Sequence, residues 1–417
     1  MAKRSNDDQE DDITVKRSRG AIDEVIKEAF GENCIAWSPV GEQRSMGLSG
    51  SLIQEVRCTY NQSARASPFL LLKSTRKRAP MLAPEATEAD RMKAERNDFS
   101  YQSECQFLKT HADRLLSHGC VVPRPWHIST QGDFTILMDS LSASLGWQQY
   151  AVIPAGAPTR AVLRWLAKFH ALYLPADIGG GGCSLQTEGA WDSGLQNMAL
   201  ERRPAGEVDK LAQTLESFVE AFASVEPYFA TEGARCVGSR LQAVAKDVAW
   251  QLRPATHSVE GGAQLITMTH GDFMHSNIFL RETLDHEAPE AAVIDWQWGG
   301  PGVGAVDLFF LCAQSLADET VNDYQTNVLQ TYHEELVAAL GGKKDAYPYE
   351  RLNREFKLAG LNFLRWLTGA RLEGFTPAKM QAAAATADMN RGMVRKSMPR
   401  MVWLWQLTEQ FLKDAEQ

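Results

Sequence analysis

The stretch Thr269-His270-Gly271-Asp272-Phe273-Met274-His275-Ser276-Asn277-Ile278-Phe279-Leu280 constrains this chain more than any other. The apolar run LITMTHGD, 265–272, leads into His-Gly-Asp, Asn follows Asp by five positions, and a second apolar run begins at once. Short apolar runs on either side of polar punctuation predict strand, turn, strand. A carboxylate and a side-chain amide at this spacing on one turn can point into one cleft. Asp272 and Asn277 then suit a reaction in which a hydroxyl is oriented and relieved of its proton beside a bound metal.

Three further pieces stand in an order that suits the same chemistry. The run AAVIDWQW, 291–298, predicts a buried strand ending in Asp295, and Asn277 with Asp295 offers the few oxygen ligands that Mg²⁺ takes alongside waters and nucleotide phosphates. Upstream, Lys73 ends the strand-like PFLLLK, where its ammonium can reach phosphates. Glu104 lies in a helix predicted over 95–116, on one face with Phe107, Leu108, His111 and Leu115. A carboxylate on an apolar face is costly unless paired, and Lys73 is its natural partner. The turn Gly47-Leu48-Ser49-Gly50-Ser51 before a strand can cover phosphates with backbone N–H groups, a weak signal because Gly/Ser turns are common. Protein kinases space Asp and Asn identically in their catalytic loop and pair a strand Lys with a helix Glu.

Composition bounds the alternatives. The chain has 417 residues, 44% apolar and 23% charged, with a net charge of -9, which is ordinary globular composition long enough for two or three lobes. The acidic balance speaks against duplex nucleic acid as a partner, and no apolar run approaches the roughly 18 residues of a membrane span. The first twenty residues are almost all polar and predict a disordered tail. The tail lacks the apolar core of a secretory signal, and its clusters Lys3-Arg4 and Lys16-Arg17-Ser18-Arg19 have the spacing of a bipartite nuclear-import signal, although a solvated tail is the plainer reading. Seven scattered cysteines without a C-x-x-C pair predict reduced thiols, a cytoplasmic setting and no structural zinc site. After the tail, the pattern predicts a small α+β lobe over 21–140, with strands at 51–59, 68–73 and 133–139. A larger, mainly helical lobe follows over 141–417, with helices at 159–173, 351–370 and 398–414. Loops are expected at the Gly run 179–182 and at 254–263.

HGDFMHSN, VIDWQ and Asp307-Leu308, in that order, resemble the signature of the aminoglycoside phosphotransferase/choline kinase-like superfamily. D-x-Q and a long helical tail, with LQTYHEEL and a late helix MNRGMVRKSMPRMVWLW, look most like its ecdysteroid kinase-like (CHK kinase-like) branch. The resemblance covers about 30–415. It implies a bilobal protein-kinase-like fold whose small N-lobe has an antiparallel sheet and one helix. It implies transfer of a phosphoryl group from ATP, with Mg²⁺, to a small-molecule alcohol. Asp272 then resembles the catalytic base, Asn277 and Asp295 the metal ligands, Lys73 the phosphate-binding lysine and Glu104 its partner. Ser49, Gly50 and Ser51 resemble the nucleotide-covering loop, and Met138 to Leu141, including Ser140, the hinge that meets adenine. Asp307 resembles a carboxylate bracing the catalytic loop, with His270 bracing beside it. Asp295 is followed by Trp-Gln rather than Phe-Gly and no A-P-E segment follows, which departs from the peptide-kinase pattern.

Bland alternatives compete at several positions. His270 and His275 with Asp272 have no standard zinc spacing, so a metal site there is disfavoured. His170, on an apolar helix face, reads as a hydrogen-bonded core histidine. Trp296 and Trp298 alternate onto one strand face, where packing is favoured over a cage for a quaternary ammonium. A catalytically inactive nucleotide-binding or scaffold protein is the alternative of a different class, and the intact five-residue set argues against it. A metal-dependent phosphohydrolase would need more clustered ligands. Choline-like, sterol-like and sugar- or aminoglycoside-like acceptors all stay open, as does the oligomeric state.

Overall fold

A computed structural model describes residues 19–46, 51–61, 66–79, 82–83, 86–183, 185, 198–200, 203–204, 206–253, 265–283, 288–386 and 388–415. The expected tail falls outside these residues, except Arg19 and Gly20, which open the first helix; the expected loop at 254–263 also falls outside them. The chain divides into two compact units, Met1–Asp113 with Pro123–Leu145, and Arg114–Val122 with Gly146–Gln417. The architecture is α+β, with a five-stranded antiparallel sheet in the first unit and mainly helices in the second.

The sheet of the first unit is built from β1 (Cys34–Met46), β2 (Ser51–Tyr60), β3 (Phe69–Thr75), β4 (Pro125–Ser129) and β5 (Phe134–Asp139), in the order β1-β2-β3-β5-β4. β3 alternates buried and half-buried residues, so Leu70 and Leu72 face one side and Lys73 the other. Leu70 and Leu72 pack with Val56, Cys58 and Leu137 beneath helix α1 (Arg19–Phe30), which contributes Ile22, Val25, Ile26 and Phe30 at helical spacing. Helix α2 (Glu88–Ser117) carries Glu104, and its last turn falls in the second unit. The sequence pattern missed α1, β1 and β4. β1 holds two register irregularities and Pro39, which blur its alternation.

The second unit is organised on two largely buried helices. In α3 (Ala157–Tyr173) twelve residues are buried, and all ten of α6 (Ala305–Gln314) are. Two short antiparallel ribbons carry the polar loop: β6 (Thr267–Thr269) with β9 (Gly300–Gly302), and β7 (Ile278–Arg281) with β8 (Glu290–Val293). The remaining helices are α4 (Leu211–Phe222), α5 (Glu232–Gln251), α7 (Asp318–Asn322), α8 (Thr331–Ala339), α9 (Tyr349–Leu367), α10 (Pro377–Ala384) and α11 (Met398–Ala415). The helix expected over 398–414 is observed as α11, and the residues of the late motif before it, 388–397, are irregular apart from the short turn Met393–Arg395. The buried guanidinium of Arg400, on α11, donates to the carbonyls of Cys312 and Leu316 at the end of α6 and to Asp318 Oδ1 at 2.6 Å. It thereby satisfies carbonyls that a helix end leaves without intrahelical partners.

Candidate active site

The site in the second unit is a turn tied down by one buried carboxylate. β6 delivers His270 and Gly271, whose φ of +79° is the left-handed conformation. A Cβ at Gly271 would lie 2.2 Å from the carbonyl oxygen of Trp298, so only glycine fits. Asp307, in the first turn of α6 and 1% exposed, accepts from the backbone N–H of His270 at 2.6 Å and of Gly271 at 2.9 Å. Such charge-assisted bonds are among the stronger ones available to backbone donors. Its Oδ2 also lies 3.4 Å from His170 Nε2, while His170 Nδ1 is 2.6 Å from the Tyr332 hydroxyl. His170 is therefore a satisfied core histidine.

The two halves of the Asp-to-Asn spacing meet. Asn277 closes the short turn His275–Asn277, and its amide nitrogen donates to the Asp272 carbonyl at 2.8 Å and lies 3.4 Å from Asp272 Oδ2. With the amide nitrogen turned to Asp272, the amide oxygen is the atom left to meet a cation. A main-chain bond ties the turn to the partner segment, Ile294 N–H donating to the Asn277 carbonyl at 3.0 Å, and a side chain anchors it to the end of α6, His275 N–H donating to Ser315 Oγ at 2.8 Å.

Asp295 sits where the backbone breaks. Its φ is +67°, the one positive value at a non-glycine among the described residues. Such a conformation costs on the order of 1–3 kcal/mol and concentrates at functional positions. β8 ends at Val293, so alternation does not run through the two tryptophans. Trp296 is 1% exposed, with ring centroids 5.2 Å from Phe169 and 4.7 Å from His270, whereas Trp298 is half-buried. The expectation that both share a strand face fails because the strand ends at Val293 and Asp295, just before the two tryptophans, takes a left-handed conformation. Trp296 is packing.

Burial, then the nearby charges of Asp295 and Asp307, push the Asp272 carboxyl up to about 7, against the opposing pull of the Asn277 amide and Arg371. A carboxyl poised there exchanges protons readily near neutral pH. The crowding of Asp272 by Asp295 is the kind of strain a cation relieves. The donors on offer are carboxylate and amide oxygens, and the described residues hold no group of three His, Cys, Asp or Glu able to cage a metal unaided. Two protein ligands completed by water and phosphate oxygens are the habit of Mg²⁺, so the residues fit that ion. A histidine metal site does not form: His270 Nε2 meets the Ile294 carbonyl at 2.9 Å, and His270 Nδ1 accepts from Asp272 N–H at 3.3 Å. Burial holds the His270 ring's pKa low.

In the first unit, Lys73 lies in the middle of the sheet, paired in register with Ile53 on β2 and Ile136 on β5. Its ammonium is 2.6 Å from Glu104 Oε2, with side-chain exposures of 11% and 3%. The ammonium also stands 5.8 Å from the centre of the Tyr101 ring. Ser51 is buried, its hydroxyl 2.8 Å from that of Thr75. Ser49 and Gly50 lie outside the described residues. Met138 is buried in β5 opposite Leu71. Ser140 donates its N–H to the Phe69 carbonyl at 3.0 Å and its hydroxyl to Glu55 Oε1 at 2.6 Å, so its carbonyl is the group it can still offer a ligand.

Within the second unit the structure thus brings Asp272, Asn277 and Asp295 together; within the first it pairs Lys73 with Glu104 and places Ser51, Met138 and Ser140 elsewhere on the sheet. Residue-by-residue reading missed the glycine requirement at 271, the Ser315 anchor and Arg371. A left-handed Gly ahead of a catalytic Asp has no signature beyond the Gly itself. Ser315 and Arg371 reach the turn only through tertiary packing. No described helix is long and apolar enough to cross a membrane, and all seven cysteines are free thiols.

Residues 154–343 match the model of the ecdysteroid kinase-like family. Among solved structures, a choline kinase from Streptococcus pneumoniae is 11% identical, covers 92% of this chain and 99% of its own, and gives a TM-score of 0.39. An amicoumacin kinase in complex with AMP-PNP and Ca²⁺ is 11% identical over 89% of this chain and 88% of its own, with a TM-score of 0.41. An ADP-bound aminoglycoside phosphotransferase is 11% identical over 95% of this chain and 99% of its own, with a TM-score of 0.37. A search of curated proteins returns no match.

Proposed function

We propose that this chain, whose residues 154–343 match the model of the ecdysteroid kinase-like family, is a small-molecule kinase that transfers the γ-phosphoryl group of ATP to a hydroxyl of a small molecule. The observation that carries the reading is the Asp272–Asn277 turn, pinned by Asp307 and faced by Asp295. Asp272 orients the acceptor hydroxyl and takes its proton as the oxygen bonds to the γ-phosphorus. The bond from that phosphorus to the β-phosphate bridging oxygen breaks, and ADP leaves. Asn277 and Asp295 hold Mg²⁺, which when bound supplies positive charge to the phosphate oxygens. Lys73, kept in place by Glu104, anchors the phosphates, and the Ser49–Ser51 turn covers them. Met138 to Leu141 receive adenine. The loose transition state leaves mainly positioning and electrostatics to the protein. Choline-like, sterol-like and sugar- or aminoglycoside-like alcohols fit this chemistry equally, and the protein works in the cytoplasm.

The test is ADP release by the full chain with Mg²⁺-ATP and a mixed panel of choline, ethanolamine, sterols, sugars and aminoglycosides. Asp272→Ala should lower acceptor-dependent turnover by about 10²–10⁴-fold while nucleotide binding persists. Unchanged turnover in that variant would remove Asp272 from the chemistry. Nucleotide binding with no turnover of any acceptor would favour the inactive nucleotide-binding alternative.

A further inference from the structure

Beside the catalytic turn, the second unit gathers four cationic side chains, three of them on a stretch that holds a single carboxylate and the fourth, Arg371, facing Asp272. Arg371 lies in the turn Thr368–Leu372 after α9, and Arg391, Arg395 and Lys396 lie in the irregular stretch between α10 and α11. Asp388 is the one acidic residue of that stretch, and it is used locally: its carboxylate is 3.2 Å from Arg391 Nε, and its carbonyl accepts from the Lys396 ammonium. Among the described residues, Arg371 donates only to the neighbouring Ala370 carbonyl, at 3.0 Å. Arg395 makes no ion pair among the described residues, and its buried Nε has no hydrogen-bond partner.

This group is attached to the reacting turn by packing. The 388–396 stretch presses on α6: a Cβ at Gly392 would fall 1.6 Å from Gln314 Oε1, and the next residue, Ser315, holds the His275 backbone at 2.8 Å. Asp272 and Arg203 are the charged groups that face Arg371, and Arg371 in turn faces Arg395. Burial first, then Arg371 and Arg391, bring Arg395 down to about 10, so it stays charged at neutral pH. Elsewhere in this unit buried guanidiniums are matched: Arg203 and Arg365 share Glu207 at 2.6 and 3.0 Å, and Arg400 meets Asp318. In a chain of net charge -9, like charges left crowded at one place need a ligand of opposite sign to offset their repulsion.

We infer that the acceptor alcohol carries an anionic group (phosphate, sulfate or carboxylate) which Arg371, Arg391, Arg395 and Lys396 receive while its hydroxyl lies at Asp272. The inference rests on the phosphotransferase reading and narrows it: a quaternary ammonium acceptor would be repelled, and a neutral alcohol would leave the cations unmatched. Guanidiniums suit such a group because their planar donors bind oxyanions bidentately. The other source of anionic oxygens is the nucleotide itself, and the experiment separates the two.

Full-length protein saturated with MgADP is titrated with glycerol 3-phosphate, glucuronate and a steroid sulfate, each beside its uncharged parent. At least one anion should bind tenfold or more tightly than its parent. Arg395→Ala and the exposed Arg371→Gln should each erase most of that preference, Arg395→Lys should retain part of it, and MgADP affinity should move less than about twofold. Equal binding of anion and parent, no binding of any anion, or a preference that survives both variants would overturn the inference. A loss confined to MgADP affinity would assign the cations to the nucleotide and overturn it too. Failure of the chain to bind MgADP at all would instead break the phosphotransferase reading, and the anion preference measured without nucleotide would still decide this one.

Discussion

The Lys73–Glu104 pair and the Asp272 turn place charged groups by opposite means. The pair uses regular elements: one strand position and one helix position, 2.6 Å apart, each set by the periodicity of its own element. The turn uses almost no regular structure. Its shape comes from a left-handed Gly271, a left-handed Asp295 and a carboxylate, Asp307, that spends its acceptor capacity on two backbone donors. Periodic elements tolerate local change because many neighbouring bonds hold them. An irregular turn held by a few charge-assisted bonds has no such reserve.

The contrast is broken most directly at Gly271. Gly271→Ala places a Cβ against the Trp298 carbonyl in a backbone conformation that alanine avoids, so turnover should fall by about 10²-fold or more through misplacement of Asp272. MgATP affinity, measured by calorimetry, should change far less. Equal losses in both would mean that the turn and the nucleotide site are not separable. Glu104→Gln probes the other side. It removes one charge of a buried pair and should cost about 1–3 kcal/mol in urea unfolding while weakening MgATP binding. An unchanged nucleotide affinity would detach the pair from the phosphate site.

The smallest effect sharpens the comparison within the sheet. Burial raises the Asp139 pKa despite the 2.7 Å bond from Trp126 Nε1. A carboxyl with a folded pKa above its unfolded value binds more protons when folded, so its contribution to stability is lost as pH rises from the unfolded value through the folded one. Asp139→Asn keeps an acceptor for Trp126 and removes that loss. The variant's advantage over the parent in urea unfolding should therefore grow from about pH 4 to pH 7. A difference that is flat across this range would place the Asp139 pKa at its ordinary value.

The readable and unreadable parts of the molecule divide along the same line. Strands β2, β3 and β5 were legible as short apolar runs bounded by turn residues, and helices α2, α3, α9 and α11 as long runs with apolar residues at helical spacing. β1 was not, since its irregular pairing with β2 breaks that period. The expected strand through Trp298 stopped at Val293 because Asp295 turns left-handed, a conformation that residue identity does not announce. The last helix, expected over 398–414, runs Met398–Ala415, while the motif residues 389–397 ahead of it are irregular apart from Met393–Arg395.

The sequence by itself determined the α+β class, the Asp272–Asn277 spacing, Asp295 and the candidate Lys73–Glu104 pair, because each is written as a local pattern or as residue types in a fixed order. Only the tertiary structure decided which carboxylate grips the turn, that both nitrogens of His270 are committed to backbone, that Trp296 packs rather than cages, that Arg371 faces Asp272, and that Arg395, beside Arg371, has no carboxylate ion pair among the described residues. Those outcomes depend on which distant segments pack together, and Coulomb and hydrogen-bond energies depend on separation and burial, neither of which a local pattern encodes.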